Sequence, residues 1–255
     1  MTQKLDRKTK GILESKDLTL EDFSVELSVR QNGYGGLNDE YMYVYVSFYC
    51  HHNSDEEIGS ASYFLYDANN VHISDIRDMA DNHDFDMYQA VSSVRIYSCR
   101  DEAEYDKMAG FINDADCDTP WLKLQNIARE TGVHISPYQK GFEQGTFEGK
   151  PYDKKTSAAW GRILVLNEIS IQDDYRTNVI ISSLFRSMLL AFKNIGLDSL
   201  IINPNINEDY MEQGNYPFTT QKQYNAFLSK QGFEKTYGRL HNKQFCWYME
   251  LQSIE

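Results

Sequence analysis

The sequence predicts an α/β (α+β) fold, a mixed and mostly antiparallel sheet with a central β-α-β unit, flanking helices and a helical insert. Three observations support this prediction. Residues 23–67 alternate apolar and polar side chains in successive segments, as half-buried antiparallel strands do. Two largely apolar runs, 161–171 (apart from Asn167, Glu168 and Ser170) and 197–204, flank a segment of helical periodicity, which indicates a parallel crossover unit. Between these two regions, residues 76–130 show helical spacing.

Three strands are predicted at the start of the chain. The first alternates from Phe23 to Arg30, and turn-rich residues 32–40 follow it. The second covers 41–50, and the third covers 56–67. The apolar side of the second strand predicts its core face: Met42, Val44, Val46, Phe48 and Cys50. Together these segments predict an antiparallel meander.

From Ile76 onward the apolar spacing becomes helical. One amphipathic helix is predicted from five residues spaced by three, four or seven positions: Ile76, Ala80, Met87, Val91 and Val94. Short helices are expected at 105–112 and 121–130, and the glycine-rich residues 136–155 predict a loop or flap. The aspartates at 75–86 lack the order of a calcium loop, so they are interpreted as a solvated helix face and no metal site is expected.

The second half of the chain holds the predicted β-α-β unit. Apart from Asn167, Glu168 and Ser170, residues 161–171 are apolar on both faces, which predicts a central strand. A helix follows, with Gly196 just beyond its end, and residues 197–204 form the next strand. The buried stripe of this helix is predicted to contain Ile181, Leu184, Phe185, Met188, Phe192 and Ile195.

These elements suggest one domain with an insertion. Residues 1–20 are predicted to be an N-terminal tail, and residues 21–255 a single domain. Within this domain, residues 76–157 form the helical and loop insert, and 160–251 form the ligand-binding half.

Composition narrows the function classes. With 38 acidic and 25 basic residues, the formal charge of −13 disfavours direct nucleic-acid binding and favours a cationic small molecule or protein amine. No apolar run approaches the roughly 18 residues of a membrane span, so no membrane association and a cytoplasmic location are predicted. The four cysteines are scattered, which suggests reduced thiols. The sequence leaves a homodimer open.

The turn before the predicted helix is a candidate anion site, because backbone N–H groups at a helix N-terminus lack acceptors and attract negative charge. Arg176 adds a positive charge there. The series Ile169, Ile171, Tyr175, Arg176 and Leu184 matches the pattern L-x-V-x-P-x-Y-R-G-x-G-x-G-x-x-L-L. With the later pairs Ala226-Phe227 and Gly232-Phe233, residues 160–251 resemble the GNAT superfamily of acyl-CoA-dependent N-acetyltransferases.

This resemblance implies that acetyl-CoA is the co-substrate. It implies that the pyrophosphate is held by Arg176, Thr177, Asn178, Val179, Ile180 and Ile181. The pantetheine arm would pair with Ile169, Ser170 and Ile171, and Asn203 would contact the cofactor. Val179 and Ile181 depart from the family pattern, since they stand where it has glycines.

Two catalytic residues are predicted. Glu168 is the candidate base for the amine, although a structural role at this strand position is an equal alternative. The thiolate-protonating tyrosine of the family falls at Leu228, and Tyr224, one helical turn earlier, is the candidate substitute.

Two functions follow. The first is acetyl-CoA-dependent transfer of an acetyl group to a primary amine. The alternative is a catalytically inactive GNAT-like binding or regulatory module that engages a protein partner through its acidic surface.

Overall fold

The computed structural model describes residues 6–33, 40–51, 55–83, 85–100, 157–204, 216–236 and 245–254. The strands are β1 (Phe23–Gly33), β2 (Glu40–Cys50), β3 (Glu56–Asp67), β4 (Arg95–Tyr97), β5 (Ala158–Trp160), β6 (Arg162–Ile171), β7 (Ser199–Ile202), β8 (Glu234–Lys235) and β9 (Trp247–Glu250). The helices are α1 (Arg7–Lys16), α2 (Ile73–His83), α3 (Phe85–Ser92), α4 (Asn178–Asn194) and α5 (Gln221–Lys230).

Seven of these strands form one sheet in the order β1-β2-β3-β6-β7-β9-β8. Within it β6 and β7 are parallel, and the other neighbours are antiparallel. β6 lies fourth of seven, and α4 connects it to β7. The predicted mixed, mostly antiparallel sheet with a central β-α-β unit is therefore confirmed. Strands β4 and β5 form a separate parallel pair.

The two faces of the sheet carry different helices. The core on one face combines Val44, Val46 and Phe48 of β2 with buried residues of α1, α4 and α5. The core on the other face places α2 and α3 against Phe64 and Tyr66 of β3. This division follows from the alternation of side chains along each strand.

The N-terminal meander forms as predicted, with β3 covering residues 56–67. Of the expected core face of β2, Val44, Val46 and Phe48 are fully buried and Cys50 is nearly so. Met42 is 38% exposed, so its assignment to the core was wrong.

The predicted helix from Ile76 is two helices, α2 and α3. Its five apolar positions are nevertheless all buried. Periodicity alone does not detect the break, because the buried residues of both helices pack against the same face of the sheet and continue one spacing pattern. Beyond residue 100, the helices predicted at 105–112 and 121–130 and the flap at 136–155 lie outside the described residues.

The N-terminal tail expected over residues 1–20 contains helix α1. The Asp6 side chain caps this helix by accepting from the Thr9 amide at 2.8 Å and the Thr9 hydroxyl at 2.7 Å. Thr9, Leu13 and Leu18 are buried, so the segment belongs to the core. Only two apolar residues of the helix reach that core, a sequence signal too sparse to distinguish from a tail.

Helix α4 begins at the N-cap Thr177, whose hydroxyl accepts from the Ile180 amide. Five of the six predicted stripe residues are buried, but Ile195 is 45% exposed because the helix ends at Asn194. Gly196 has φ 77°, as predicted for the glycine beyond the helix end. None of the helices in the described ranges is long and apolar enough to cross a membrane.

Candidate functional site

Strand β6 changes its pairing halfway along its length. Its first half, Ile163–Val165, pairs with both β3 and β7. Its second half pairs with β3 as far as Ile171, whereas β7 pairs no further than Val165. A bulge at Asn167 lies at this transition, since Tyr63 faces Leu166 and Ser62 faces Glu168. Bulges redirect strands and side chains, and they are common beside functional sites.

The backbone of the second half has its own orientation. Gln172 donates its amide to Ile58 O at 2.8 Å, which makes these two an antiparallel hydrogen-bonded pair. By alternation, the backbone groups of Ile169 and Ile171 point away from β3, toward the side that β7 has left. Arg176 Nε donates to Ile171 O at 2.6 Å from that side.

A cleft of about 580 Å³, here called the α4 cleft, opens at the N-terminus of α4. Its walls come from α1, the turn before α4, the first turn of α4, and residues 217–230, which include α5. Three cations line it, Lys8, Arg176 and Lys230, together with the carboxylates of Asp6 and Asp173. Its volume is within the usual range for small-molecule sites.

Of the residues predicted to hold the phosphates, four line this cleft, Arg176, Thr177, Asn178 and Ile181, whereas Val179 and Ile180 do not. Thr177 and Asn178 line it, and the amides of Asn178 and Val179 are first-turn groups with no acceptor inside the helix. The Ile180 and Ile181 amides are already bonded to Thr177, at 3.3 and 2.9 Å. The Val179 and Ile181 side chains are 7% and 2% exposed, and only Ile181 contributes to the cleft wall. The branched residues therefore pack into the core and leave the cleft open.

Arg176 is held within the turn. Its guanidinium forms a short ion pair with Asp173, and its side chain is 15% exposed. Lys8 Nζ donates to the Arg176 carbonyl at 3.1 Å, which links α1 to the turn. The carboxylate of Asp173 thus offsets part of the charge that Arg176 brings to the cleft.

The predicted pantetheine residues lie beside the cleft but do not line it. Ile169 and Ile171 are 2% and 1% exposed and belong to the core beneath α4. Ser170 lies on the opposite face, with its hydroxyl 3.3 Å from the Ser60 hydroxyl.

Glu168 is also on the opposite face. It is exposed, and the part of the chain described here gives it no hydrogen-bond or ion-pair partner. It lines a second concavity of about 290 Å³, here called the hydroxyl groove. The groove includes Ser28, Tyr45, Ser47, Ser60, Ser62 and Glu168, and Arg30 and Glu57 also line it.

Tyr224 is fully buried in α5, with Phe218 stacked on its ring at 4.5 Å. Its hydroxyl has no hydrogen-bond partner of acceptable geometry among the described residues. Burial holds the pKa of Tyr224 well above its ordinary value, and the nearby Tyr216 and Tyr63 raise it further. The hydroxyl is therefore a protonated donor. Leu228, one turn later, is fully buried.

Asn203 lines neither concavity. Its amide nitrogen lies 3.3 Å from both the backbone and a side-chain oxygen of Asp86, and 3.4 Å from Gln89 Oε1. It joins the end of β7 to α3, and this contact supports the packing of α3.

Lys8 and Lys230 were missed by the sequence analysis. Each comes from a helix remote in sequence from the turn, and no spacing rule connects them to Arg176.

His51 lies outside both concavities: its Nδ1 is 2.7 Å from Asp55 Oδ1, and its Nε2 contacts the Ser24 hydroxyl on an exposed edge. Within the described ranges no group of three or more acidic, histidine or cysteine residues could hold a metal ion.

Comparison of this chain with protein-family models, curated proteins and solved structures gives no match.

Proposed function

We propose that this protein is an acetyl-CoA-dependent N-acetyltransferase that transfers an acetyl group to a primary amine. The observation that carries the proposal is the position of the α4 cleft. A helix N-terminus and three cationic side chains meet there, where the half-paired stretch of β6 ends. Arg176 joins the two features, since it lines the cleft and donates to Ile171 O.

The pyrophosphate would bind in the α4 cleft. The amides of Asn178 and Val179 donate to anionic oxygens, and the helix dipole favours negative charge at this end. Lys8 and Lys230 supply positive charge from both sides of the turn. Arg176 would donate to the anion from its place beside Asp173.

The pantetheine arm would extend from the cleft along the second half of β6. The backbone groups of Ile169 and Ile171 face the side that β7 leaves. An extended chain with amides can bond to such an edge as an added strand does. Ser170 lies between these two residues, with its side chain on the other face.

The amine would approach from the face that carries Glu168. A primary amine must lose a proton before it attacks, and the Glu168 carboxylate accepts that proton directly or through water. The nitrogen then bonds to the acetyl carbon, and the carbon–sulfur bond breaks. The departing thiolate would take its proton from the Tyr224 hydroxyl, and the second proton that the nitrogen loses as the amide forms would restore that hydroxyl. The raised pKa of Tyr224 keeps the hydroxyl protonated at rest and also makes it a weak acid for this step.

Calorimetry with acetyl-CoA at about 1 mM tests the proposal. We expect binding, and we expect Arg176→Ala to weaken it by about 1 to 3 kcal/mol through the loss of a charge-assisted hydrogen bond. Lys8→Ala should weaken it by about 1 kcal/mol. Lys10→Ala is the matched control, because Lys10 lies on the same helix but pairs with Glu14 outside the cleft.

The alternative is an inactive GNAT-like module that binds a protein partner. Two observations favour it: Arg176 is already paired with Asp173, and Leu228 stands where the family has its proton donor. If acetyl-CoA gives neither heat nor a thermal shift, this alternative replaces the enzyme. Unchanged affinity in both Arg176→Ala and Lys8→Ala would place the cofactor outside the α4 cleft.

A further inference from the structure

The hydroxyl groove is built from side chains that neighbouring strands place in register. Ser28 of β1 faces Tyr45 of β2, Tyr45 faces Ser62 of β3, and Ser62 faces Glu168 of β6. Directly opposed side chains on adjacent strands stand roughly 5 Å apart. The row therefore offers three hydroxyls and one carboxylate at regular intervals across four strands.

A second row runs parallel to the first. Ser47 of β2 faces Ser60 of β3, and Ser60 faces Ser170 of β6. The two rows together form a lattice whose hydroxyls can each donate and accept hydrogen bonds, whereas the Glu168 carboxylate only accepts them. Only Val46 and Ala61 add apolar residues to the groove lining in the described ranges.

This polarity is confined to one part of the sheet face. On the same face, Phe64, Ile163 and Val165 are buried against the core that includes α2 and α3. The strands thus place apolar residues where those helices cover them and hydroxyls where the groove lies. An exposed sheet face can consist of any polar residues, whereas here short hydroxyls dominate and a concavity forms over them.

Several of these groups are oriented from within the protein. Asn167, the bulge residue, donates its side-chain amide to the Ser62 hydroxyl at 3.0 Å. The Ser60 and Ser170 hydroxyls are 3.3 Å apart. The Arg30 guanidinium lies 5.1 Å from the centre of the Tyr45 ring. The hydroxyls keep further bonding capacity, because each has one proton and two lone pairs.

The two ends of the groove carry opposite charges. Glu168 lies on β6, while Arg30 lies on β1, three strand spacings or roughly 14 Å away. Glu57, a second carboxylate, lines the groove from β3. A cation is therefore favoured near Glu168 and disfavoured near Arg30.

We propose that the hydroxyl groove binds a hydroxyl-rich primary amine of the amino-sugar class, with its ammonium group at Glu168 and its hydroxyls on the serine lattice. A polyamine would satisfy Glu168 but leave the serine hydroxyls facing methylene groups. A neutral sugar would satisfy the serines but not the carboxylate. The identification of this ligand as the acetyl acceptor rests on the proposed function, whereas the binding site does not.

The test is binding of glucosamine to the full chain without acetyl-CoA, measured by protein-observed NMR. Glucose lacks the ammonium group and putrescine lacks the hydroxyls, so both should bind at least about tenfold more weakly than glucosamine. Glu168→Gln should weaken glucosamine binding by at least about tenfold, since it replaces a charged acceptor of the ammonium group by a neutral one. Glu234→Gln is the matched control, because Glu234 is an exposed carboxylate on β8, at the other edge of the sheet, and does not line the groove.

A double variant, Ser28→Ala with Ser62→Ala, tests the lattice. It should weaken the binding of glucosamine and leave the binding of putrescine unchanged. The proposal is overturned if glucose or putrescine binds as well as glucosamine, or if Glu168→Gln behaves like Glu234→Gln. Acetyl-CoA binding without glucosamine binding would refute only this inference. Glucosamine binding without acetyl-CoA binding would refute only the proposed function.

Discussion

The α4 cleft and the hydroxyl groove lie on opposite faces of the sheet, and their chemistry is opposite. The cleft gathers Lys8, Arg176 and Lys230 around a helix N-terminus. The groove gathers serine hydroxyls with Glu57 and Glu168. In a chain of net charge −13, three cations line the cleft, whereas Arg30 is the one cation among the described residues that line the groove. The fold has thus separated a region suited to an anion from one suited to a cation.

The two regions share β6. Its second half carries Ile169 and Ile171 toward α4 and Glu168 and Ser170 toward the groove. The bulge at Asn167 sets which residue faces which side, because one inserted residue reverses the alternation that follows it. A single irregularity in one strand therefore positions groups in both regions.

The largest expected effect comes from the paired half of β6. Leu164 is fully buried in a segment with strand partners on both sides, so Leu164→Ala should destabilise the protein by about 2 to 5 kcal/mol. Urea unfolding measures this loss. Val29→Ala is the control. Because Val29 is 50% exposed, this substitution should lower the free energy of unfolding by less than about 1 kcal/mol. Equal costs would show that the paired half of β6 is not a rigid base for both regions.

A smaller effect is expected from the cap of α1, which should distinguish the two regions. Asp6→Ala removes the N-cap and should destabilise the protein by about 1 kcal/mol at neutral pH. Acetyl-CoA binding should change, because α1 carries Lys8 into the cleft and the Asp6 carboxylate itself lines it, whereas glucosamine binding should stay unchanged. Weaker binding of both ligands would show that the regions are not independent.

The same cap has a defined pH dependence. The Thr9 amide, followed by the Thr9 hydroxyl, lowers the pKa of Asp6 in the folded protein. The stabilisation is therefore complete above the ordinary pKa of Asp6 and is lost as the pH falls through the lowered folded value. The stability difference between wild type and Asp6→Ala should shrink over that acidic range in urea titrations. A difference that grows with acidification would contradict this assignment.

The smallest effect on stability is expected from Tyr224→Phe. The Tyr224 hydroxyl is buried and interacts with the Tyr216 side chain without a well-aligned hydrogen bond among the described residues, so its removal should change the free energy of unfolding by less than about 1 kcal/mol. The acetylation rate should fall nonetheless, because the variant cannot protonate the thiolate. Thermal unfolding and kcat together test this. A large stability loss would indicate a structural hydroxyl, and an unchanged kcat would remove Tyr224 from the mechanism.

The sequence by itself determined most of the regular structure. One side of each strand in 23–67 and one side of α4 are buried. This burial produces a regular spacing of apolar residues, which can be read directly from the sequence. The anion-favouring turn was also visible, because a helix that begins directly after a strand leaves its first amides without acceptors.

Only the tertiary structure decided what surrounds that turn. Lys8 donates to the Arg176 carbonyl across 168 positions of sequence, and Glu168 lies in one row with Ser28 and Tyr45 only through the order of the strands. The bulge at Asn167 and the pairing of Arg176 with Asp173 likewise depend on register and local geometry. Local periodicity reports which side of an element is buried, whereas contacts between distant elements depend on how their surfaces pack.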